Sequence, residues 1–187
     1  MKTENLQEWI GKTEERSDLL NAFPANAMAA TLNHEQLDYS ENKNLPPLWH
    51  WLYFLPIFRL SEAGYDGHAA LGDFLPPVQL PRRMWAGSRI EFLSPLKVGN
   101  EYKKKSKIID VTAKSGRSGD LVFVTVSHKV SNGSTVCINE EHDIVYREKA
   151  TSSSVPAKLI EAPKEFDFSI DINPDPVLLF RYSALTF

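Results

Sequence analysis

The sequence predicts an α+β fold, an antiparallel sheet curved around one helix that lies on a single face of it. Three observations predict this. A run of small, strong helix formers follows Phe23, four β-patterned segments follow in series from Arg89 onward, and Asn132-Gly133, favoured two-residue hairpin chemistry, separates the last two.

The chain opens with MKTENLQEWIGKTEERSDLL, polar and charged. It lacks the apolar core of a signal peptide and the acid-poor composition of a transit peptide. The helix is PANAMAATLNH. Pro24 suits a first helical turn, and Ala25, Ala27, Met28, Ala29, Ala30 and Leu32 combine helix propensity with small volume, so neighbours can approach closely on many sides. The most apolar stretch, PPLWHWLYFLPIF from Pro46 to Phe58, is broken by Pro56 and falls well short of the ~20 residues that cross a bilayer, so it is core. Read as extended chain, it places Trp49, Trp51 and Tyr53 on one side and His50, Leu52 and Phe54 on the other. Aromatics on both sides predict a central element or an interface between two units.

The strands are RIEFL, EYKKKSKIIDV, LVFVTVSHKV and STVCINEEHDIVYR, with KSGRSGD, Lys114 to Asp120, as a looser turn before the third. In the third, Val122, Val124, Val126 and Val130 share one face and Phe123, Thr125, Ser127 and Lys129 the other, so one face of the sheet is buried.

Residues 150–164, ATSSSVPAKLIEAPK, have a linker composition. They divide a first unit, 1–149, from 165–187, a fragment too short to build a core alone. That fragment closes on DPVLLFRYSALTF, a helix with proline at its start and neither a glycine cap nor a polar tail. A hydrophobic content of 42% supports one core and the beginning of a second, and argues against general disorder. The net charge of −3, with no dominant basic face, gives no general attraction for nucleic acid or anionic membrane. Cys137 is the sole cysteine, which excludes an intrachain disulfide and a cysteine-based metal site and leaves a cytoplasmic setting as the default.

The segment MWAGSRIEFLSPLKVGNEYKKKSKIIDV resembles the hot dog fold of MaoC-like dehydratases, where an aromatic-ending strand, a proline and a Val-Gly-Asn turn precede the next strand. WIGKTEERSD, LPPLWHWLYFLP, LGDFLPP, RRMWAGSRIEF and EHDIVYRE are similar to the amino-terminal half of one branch, the double hot dog hydratases that include mesaconyl-C4-CoA and itaconyl-CoA hydratases and the mitochondrial hydroxyacyl-thioester dehydratase. The resemblance covers essentially the whole chain.

It implies a first hot dog in residues 1–149 and the start of a second in 165–187. In that family the second opens with a strand and a helix ending in a stretch similar to RYSALTF, and an Asn-x-His-x-x-His-x-Asp catalytic segment follows. The expectation is that this chain stops before that segment, so no catalytic residue is carried over. The activity implied is reversible addition of water to a 2,3-unsaturated acyl-CoA, without a metal or redox cofactor and with coenzyme A as part of the substrate. Such a reaction needs a base for water, an acid for the α-carbon and N–H donors for the enolate oxygen. The implied partners are an acyl-CoA and either further copies of this chain or a second hot dog chain. A non-catalytic acyl-CoA-binding or structural subunit of a heteromeric dehydratase is the alternative, and a thioesterase using Glu35 is a third reading.

Among residues present, Arg82, Arg83 and Trp85 in LPRRMWAG, with His68 in the loop before them, are candidates for substrate contact. Basic and aromatic side chains at a loop-to-strand junction suit the phosphates and adenine of coenzyme A, and equally suit packing with surface charge. Lys103, Lys104, Lys105 and Lys107 are poised between ligand contact and protection of a strand edge. His34 and Asp38 sit after the helix, where a surface role is expected. His128 lies on the valine face, as a hydrogen-bonded histidine of the core or edge. In Glu140, Glu141, His142 and Asp143 only alternate residues face together, too few for a closed zinc site, so a solvated face is expected.

Overall fold

The computed structural model describes residues 4–35, 38–116, 119–149 and 161–186. Five strands form one antiparallel sheet: β1 Thr13–Leu19, β2 Arg82–Phe92, β3 Glu101–Gly116, β4 Gly119–Asn132 and β5 Thr135–Arg147, in the order β1-β3-β4-β5-β2. Helix α1, Ala22–Thr31, lies on the sheet, and helix α2, Pro176–Thr186, lies against α1.

Helix α1 starts where Asn21, in extended conformation, accepts the Phe23 N–H on its side chain, and Pro24 falls inside the first turn. Its small residues permit close approach: Ala25 and Ala29 are fully buried among Leu20, Tyr102, Val130 and Ile138. The hairpin between β4 and β5 pairs Asn132 with Thr135, so its two central residues are Gly133 and Ser134, one position later than the sequence suggested. Gly133 there has φ +54°, which glycine adopts freely. Gly99, in the Val-Gly-Asn turn, has φ +89°, and a Cβ at that position would meet Glu41 Cγ at 2.8 Å. The turn at 117–118 lies outside the described residues.

Strand β1 is absent from the sequence-based expectation. TEERSDL alternates charge rather than hydrophobicity, and it forms because it completes β3 along an edge. The consequence for β3 is a correction: flanked by β1 and β4, it is not an edge strand, so edge protection is not the role of its lysines. Lys103 and Lys105 instead approach Glu15 of β1 at 3.3 and 3.7 Å. The WHWL stretch is also corrected. It folds as a 3-10 helix, Trp49–Leu52, whose three-residue period replaces strand alternation, although His50, Leu52, Tyr53 and Phe54 are all buried.

The valine face is buried as expected, and with its neighbours it forms two apolar clusters. One joins α1 to Tyr102, Val130 and Ile138. The other holds Ile108, Val122, Val124, Val126 and Tyr146 under Leu6, Val78 and Leu80.

Most of the expected linker, 150–160, lies outside the described residues. Residues 161–175 form neither strand nor helix, contrary to the strand implied by the resemblance, and expose Phe166, Phe168, Ile170 and Ile172. Asp175 then caps α2 by accepting the Leu178 N–H at 2.8 Å. Val177, Leu179 and Phe180 are exposed, whereas Leu185 packs onto the α1 cluster.

Candidate functional site

Antiparallel register decides which side chains meet between the two clusters. It places Ser106 opposite His128, His128 opposite Glu140, and His142 opposite Ser88. Directly paired residues share a face, so these five make a polar belt across β3, β4, β5 and β2 on the buried side of the sheet. A bulge at Ala86 preserves the phase along β2, so that Arg83 and Trp85 before it and Ser88 and Ile90 after it face the same way.

Glu140, expected on a solvated face, is 4% exposed and is the centre of the belt. Its Oε1 accepts from Ser88 Oγ at 3.0 Å and faces His142 Nδ1 at 3.4 Å. Its Oε2 accepts from Trp51 Nε1 and lies 3.2 Å from His50 Nε2. The correction has a physical reason: a buried carboxylate is tolerated when its lone pairs are filled, and here each oxygen has two partners. Burial alone would raise its pKa, but the hydrogen bonds from His142, His50 and Trp51 prevail and hold it well below the usual carboxylate range. The other half of the acidic run behaves as expected: Glu141 and Asp143 face the outer side and grip Arg89 at 2.8 and 2.7 Å.

The donors reach Glu140 because the chain around them is held in an unusual shape. Leu48 and Phe54, on either side of the 3-10 helix, adopt left-handed conformations with φ +71° and +58°. The Phe54 N–H donates to Asp18 at 2.8 Å, and the Tyr53 hydroxyl donates to the Asn21 carbonyl at 2.7 Å. Burial pushes the Tyr53 phenol up to about 12, so it stays a neutral donor.

A carboxylate only accepts, so the ring nitrogens turned to Glu140 carry hydrogen: Nε2 in His50 and Nδ1 in His142. In a neutral ring the opposite nitrogen is then an acceptor. The belt is thus suited to presenting imidazole acceptors at fixed positions. His128, bonded through Nδ1 to Ser106 Oγ at 2.9 Å, is pushed down to about 3, by burial first and by the Lys104 charge second. Lys104 differs from its lysine neighbours in turning to this buried side, where its ammonium lies 5.4 Å from the centre of the Phe54 ring. Burial lowers its pKa.

His50 lines two of the cavities beside the belt. One of about 220 Å³ is bounded by Trp51, Tyr53, Phe54, Lys104, His128 and His142. The other, about 330 Å³, is an apolar groove between Pro46-Pro47 and the Phe92–Leu96 turn.

Of the residues expected to contact substrate, Trp85 is brought to the belt. Its ring is exposed, its Nε1 donates to Ser88 Oγ at 3.2 Å, and its centroid lies 6.2 Å from that of Trp51. Arg83 and His68 gather elsewhere, around Asp66. Arg83 makes a two-pronged ion pair with Asp66 at 2.9 and 3.0 Å beside a cavity of about 280 Å³, and the His68 N–H is also turned to that carboxylate. Partial desolvation of the His68 ring, then the Arg83 charge, lowers its pKa against the opposing pull of Asp66. Arg82 faces the outer side and is exposed. His34, Glu35 and Asp38 are exposed after α1, and the His34 ring lies 6.1 Å from that of Trp49. Among the described residues, no group of three or more His, Cys, Asp or Glu side chains is arranged to hold a metal ion, and no helix is long and apolar enough to cross a membrane.

Comparison with known proteins agrees with this architecture. The family described as Htd2, hydroxyacyl-thioester dehydratase type 2, matches residues 48–187. The mesaconyl-C(4)-CoA hydratase of Chloroflexus aurantiacus is 43% identical over 187 residues, which is 100% of this chain and 67% of that protein. Among solved structures, the ChsH1-ChsH2 complex of Mycobacterium tuberculosis gives a TM-score of 0.59 at 15% identity, covering 84% of this chain and 99% of the matched one. A MaoC-like dehydratase from Phytophthora capsici gives 0.55 at 16% identity, covering 100% of this chain and 64% of that one. Similarity at that level of identity shows the fold alone, and the fold is the hot dog. The chain belongs to the hydroxyacyl-thioester dehydratase type 2 family.

Proposed function

We propose that this chain forms the amino-terminal hot dog of an acyl-CoA hydratase/dehydratase that adds water reversibly across a 2,3-unsaturated acyl-CoA, including one that carries a second carboxylate. The observation that carries this reading is the 43% identity to a mesaconyl-C(4)-CoA hydratase along the full length of the chain. In this reading residues 1–149 are the first hot dog, 150–164 the linker and 165–187 the start of the second. Coenzyme A enters as part of the substrate, the reaction calls for no metal or redox cofactor, and the setting is cytoplasmic.

The physical fit is of two kinds. The apolar groove beside His50 suits a short acyl chain, being concave, largely apolar and supplied with few polar atoms. Arg82, Arg83, His68 and Trp85 offer the coenzyme A moiety cations and an aromatic face, with Arg83 already oriented by Asp66. The base and acid of the hydration step are assigned to the segment that follows the RYSALTF helix in the family, not to a residue of this chain.

The test is incubation with crotonyl-CoA and with a dicarboxylic enoyl-CoA, following loss of enoyl-thioester absorbance together with free thiol. Hydration without thiol release, by this chain or by a polypeptide containing it, is the expected result. Thiol release would assign a thioesterase instead. Hydration that appears only when a separate hot dog chain is added would assign the heteromeric-subunit role.

A further inference from the structure

Lys103 and Lys105 point to the outer side of the sheet, where Glu15 lies 3.3 and 3.7 Å from their ammonium groups. Lys104, between them in β3, points to the buried side, is only partly exposed and lines the cavity of about 220 Å³ beside the belt. Phe54 lines the same cavity, and the Lys104 ammonium lies 5.4 Å from the centre of its ring, so the head group itself stands at the cavity. Among the described residues no carboxylate forms an ion pair with it. Those that share its side are engaged elsewhere: Glu14 pairs with Arg16 at 3.0 Å, Asp18 accepts the Phe54 N–H, and both oxygens of Glu140 are filled. Arg16 stands directly opposite Lys104 in the register and adds a like charge. The imidazoles of His50, His128 and His142 complete the ionisable groups around the cavity, and none of them brings a negative charge.

We infer that Lys104 Nζ is a nucleophilic amine and that this cavity takes a small aromatic aldehyde, which condenses with Lys104 as an imine. A lysine becomes nucleophilic when its amine is desolvated or set beside another cation, and Lys104 meets both conditions. Burial is the first cause that lowers its pKa; the Arg16 charge acts in the same direction, and Glu14, Glu140 and Asp18 act against it. The walls select the electrophile. Trp51, Tyr53 and Phe54 offer aromatic faces, and the volume falls below the ~300 Å³ at which sites for drug-sized ligands begin, so it suits a single ring. The step balances without a further reagent. Nζ attacks the carbonyl carbon, one proton passes from nitrogen to the carbonyl oxygen, and the carbinolamine loses water as the C=N bond forms. Nothing is oxidised or reduced. The inference is independent of the hydratase reading, which gives Lys104 no task.

The experiment uses the full chain and benzaldehyde, with cyanoborohydride present to fix any imine as a benzylamine. At neutral pH, peptide mapping by mass spectrometry should find Lys104 modified about tenfold faster than Lys103 or Lys105, which keep Glu15 beside them. The rate at Lys104 should also level off at a lower pH than the rates at its neighbours. Benzyl alcohol, which has the ring but no carbonyl, should slow labelling of Lys104 and leave Lys103 and Lys105 unaffected. Lys104→Arg, which keeps the positive charge, should abolish the fast labelling, whereas Lys105→Arg should preserve it. Equal rates at the three lysines would overturn the inference. So would fast labelling that benzyl alcohol fails to slow, because the amine would then be reacting from solvent and not from the cavity. The mapping is made on the unsubstituted chain, so its outcome stands even where Lys104→Arg does not fold. It is read by mass and not by turnover, so this inference and the hydratase reading fail separately.

Discussion

His50 and Glu140 are 90 residues apart in the chain and 3.2 Å apart in the fold, and both are almost entirely buried. One sits on a 3-10 turn and the other in the middle of a strand. Their contact is where the segment overlying the sheet is fastened to it. Replacing Glu140 with alanine leaves donors from His50, Trp51, Ser88 and His142 facing an unfilled space, and should cost about 3 kcal/mol of stability. The check is the urea midpoint of Glu140→Ala at unchanged slope. A loss under about 0.5 kcal/mol, the range of an ordinary surface change, would mean the network does not hold the turn.

Acid should loosen the same region through His128. Its folded pKa is depressed from the ordinary 6.5 to about 3 by burial and the Lys104 charge. The unfolded chain therefore binds the proton more readily, and stability rises with pH between those values. The contribution is fully present above the unfolded pKa and is lost as pH falls from about 6.5 toward 3. Glu140, whose folded pKa is lowered, keeps its own contribution until the pH drops below the usual glutamate range. Melting temperatures should therefore fall from pH 6.5 to 4.5, with His68 adding a change of the same sign. His128→Gln should flatten the pH dependence in that interval, and an unaltered slope would contradict the assignment.

Leu48 lends itself to a stabilising change. It holds φ +71° while 46% exposed, so its side chain gains little from burial and its backbone is in a region that costs a β-carbon about 1 kcal/mol or more. Leu48→Gly is expected to raise the melting temperature despite the entropy that glycine adds to the unfolded chain. A fall would show that Leu48 contributes through contacts rather than conformation.

Coenzyme A recognition can be tested at Arg82, which is exposed and outside the belt. In an active polypeptide that contains this chain, Arg82→Gln should raise KM for an acyl-CoA several-fold and leave kcat nearly constant, since a contact to the phosphates is the same in ground and transition states. The corresponding acyl-pantetheine, which lacks the nucleotide, should not register the change. Equal effects on both thioesters would place Arg82 outside the binding site.

The segment at 161–175 and helix α2 together present Phe166, Phe168, Ile170, Val177 and Phe180 to solvent. An apolar surface of that kind drives association. Light scattering of the 187-residue chain should show dimers or larger species, and Phe168→Ser combined with Phe180→Ser should shift them toward monomer. A monodisperse monomer before substitution would exclude association through this surface.

Much of the sheet was legible because its patterns are local. The valines of β4 alternate without interruption, and Asn-Gly marks the hairpin to within one residue. The buried role of Glu140 was not legible in β5 alone, where a run of charged residues reads as solvated. The clue lay between strands: hairpin register puts Glu140 opposite His128, on the face the valines already identified as buried. His50 offered less, because its partner depends on how a loop segment folds over a sheet formed largely by later residues. Strand β1 escaped for another reason. Its stability comes from pairing with β3, while its own residues carry the charge pattern of a surface loop.

The polar belt divides the hydrophobic interior, yet β3, β4 and β5 run unbroken through both parts. Neither cluster can therefore lose its backbone framework alone. Amide protons at the middle of these strands should exchange only when the whole domain opens, while those of the covering segments exchange through smaller, independent excursions. What looks in cross-section like a flaw in the core behaves in time as the line along which its two halves are made to open together.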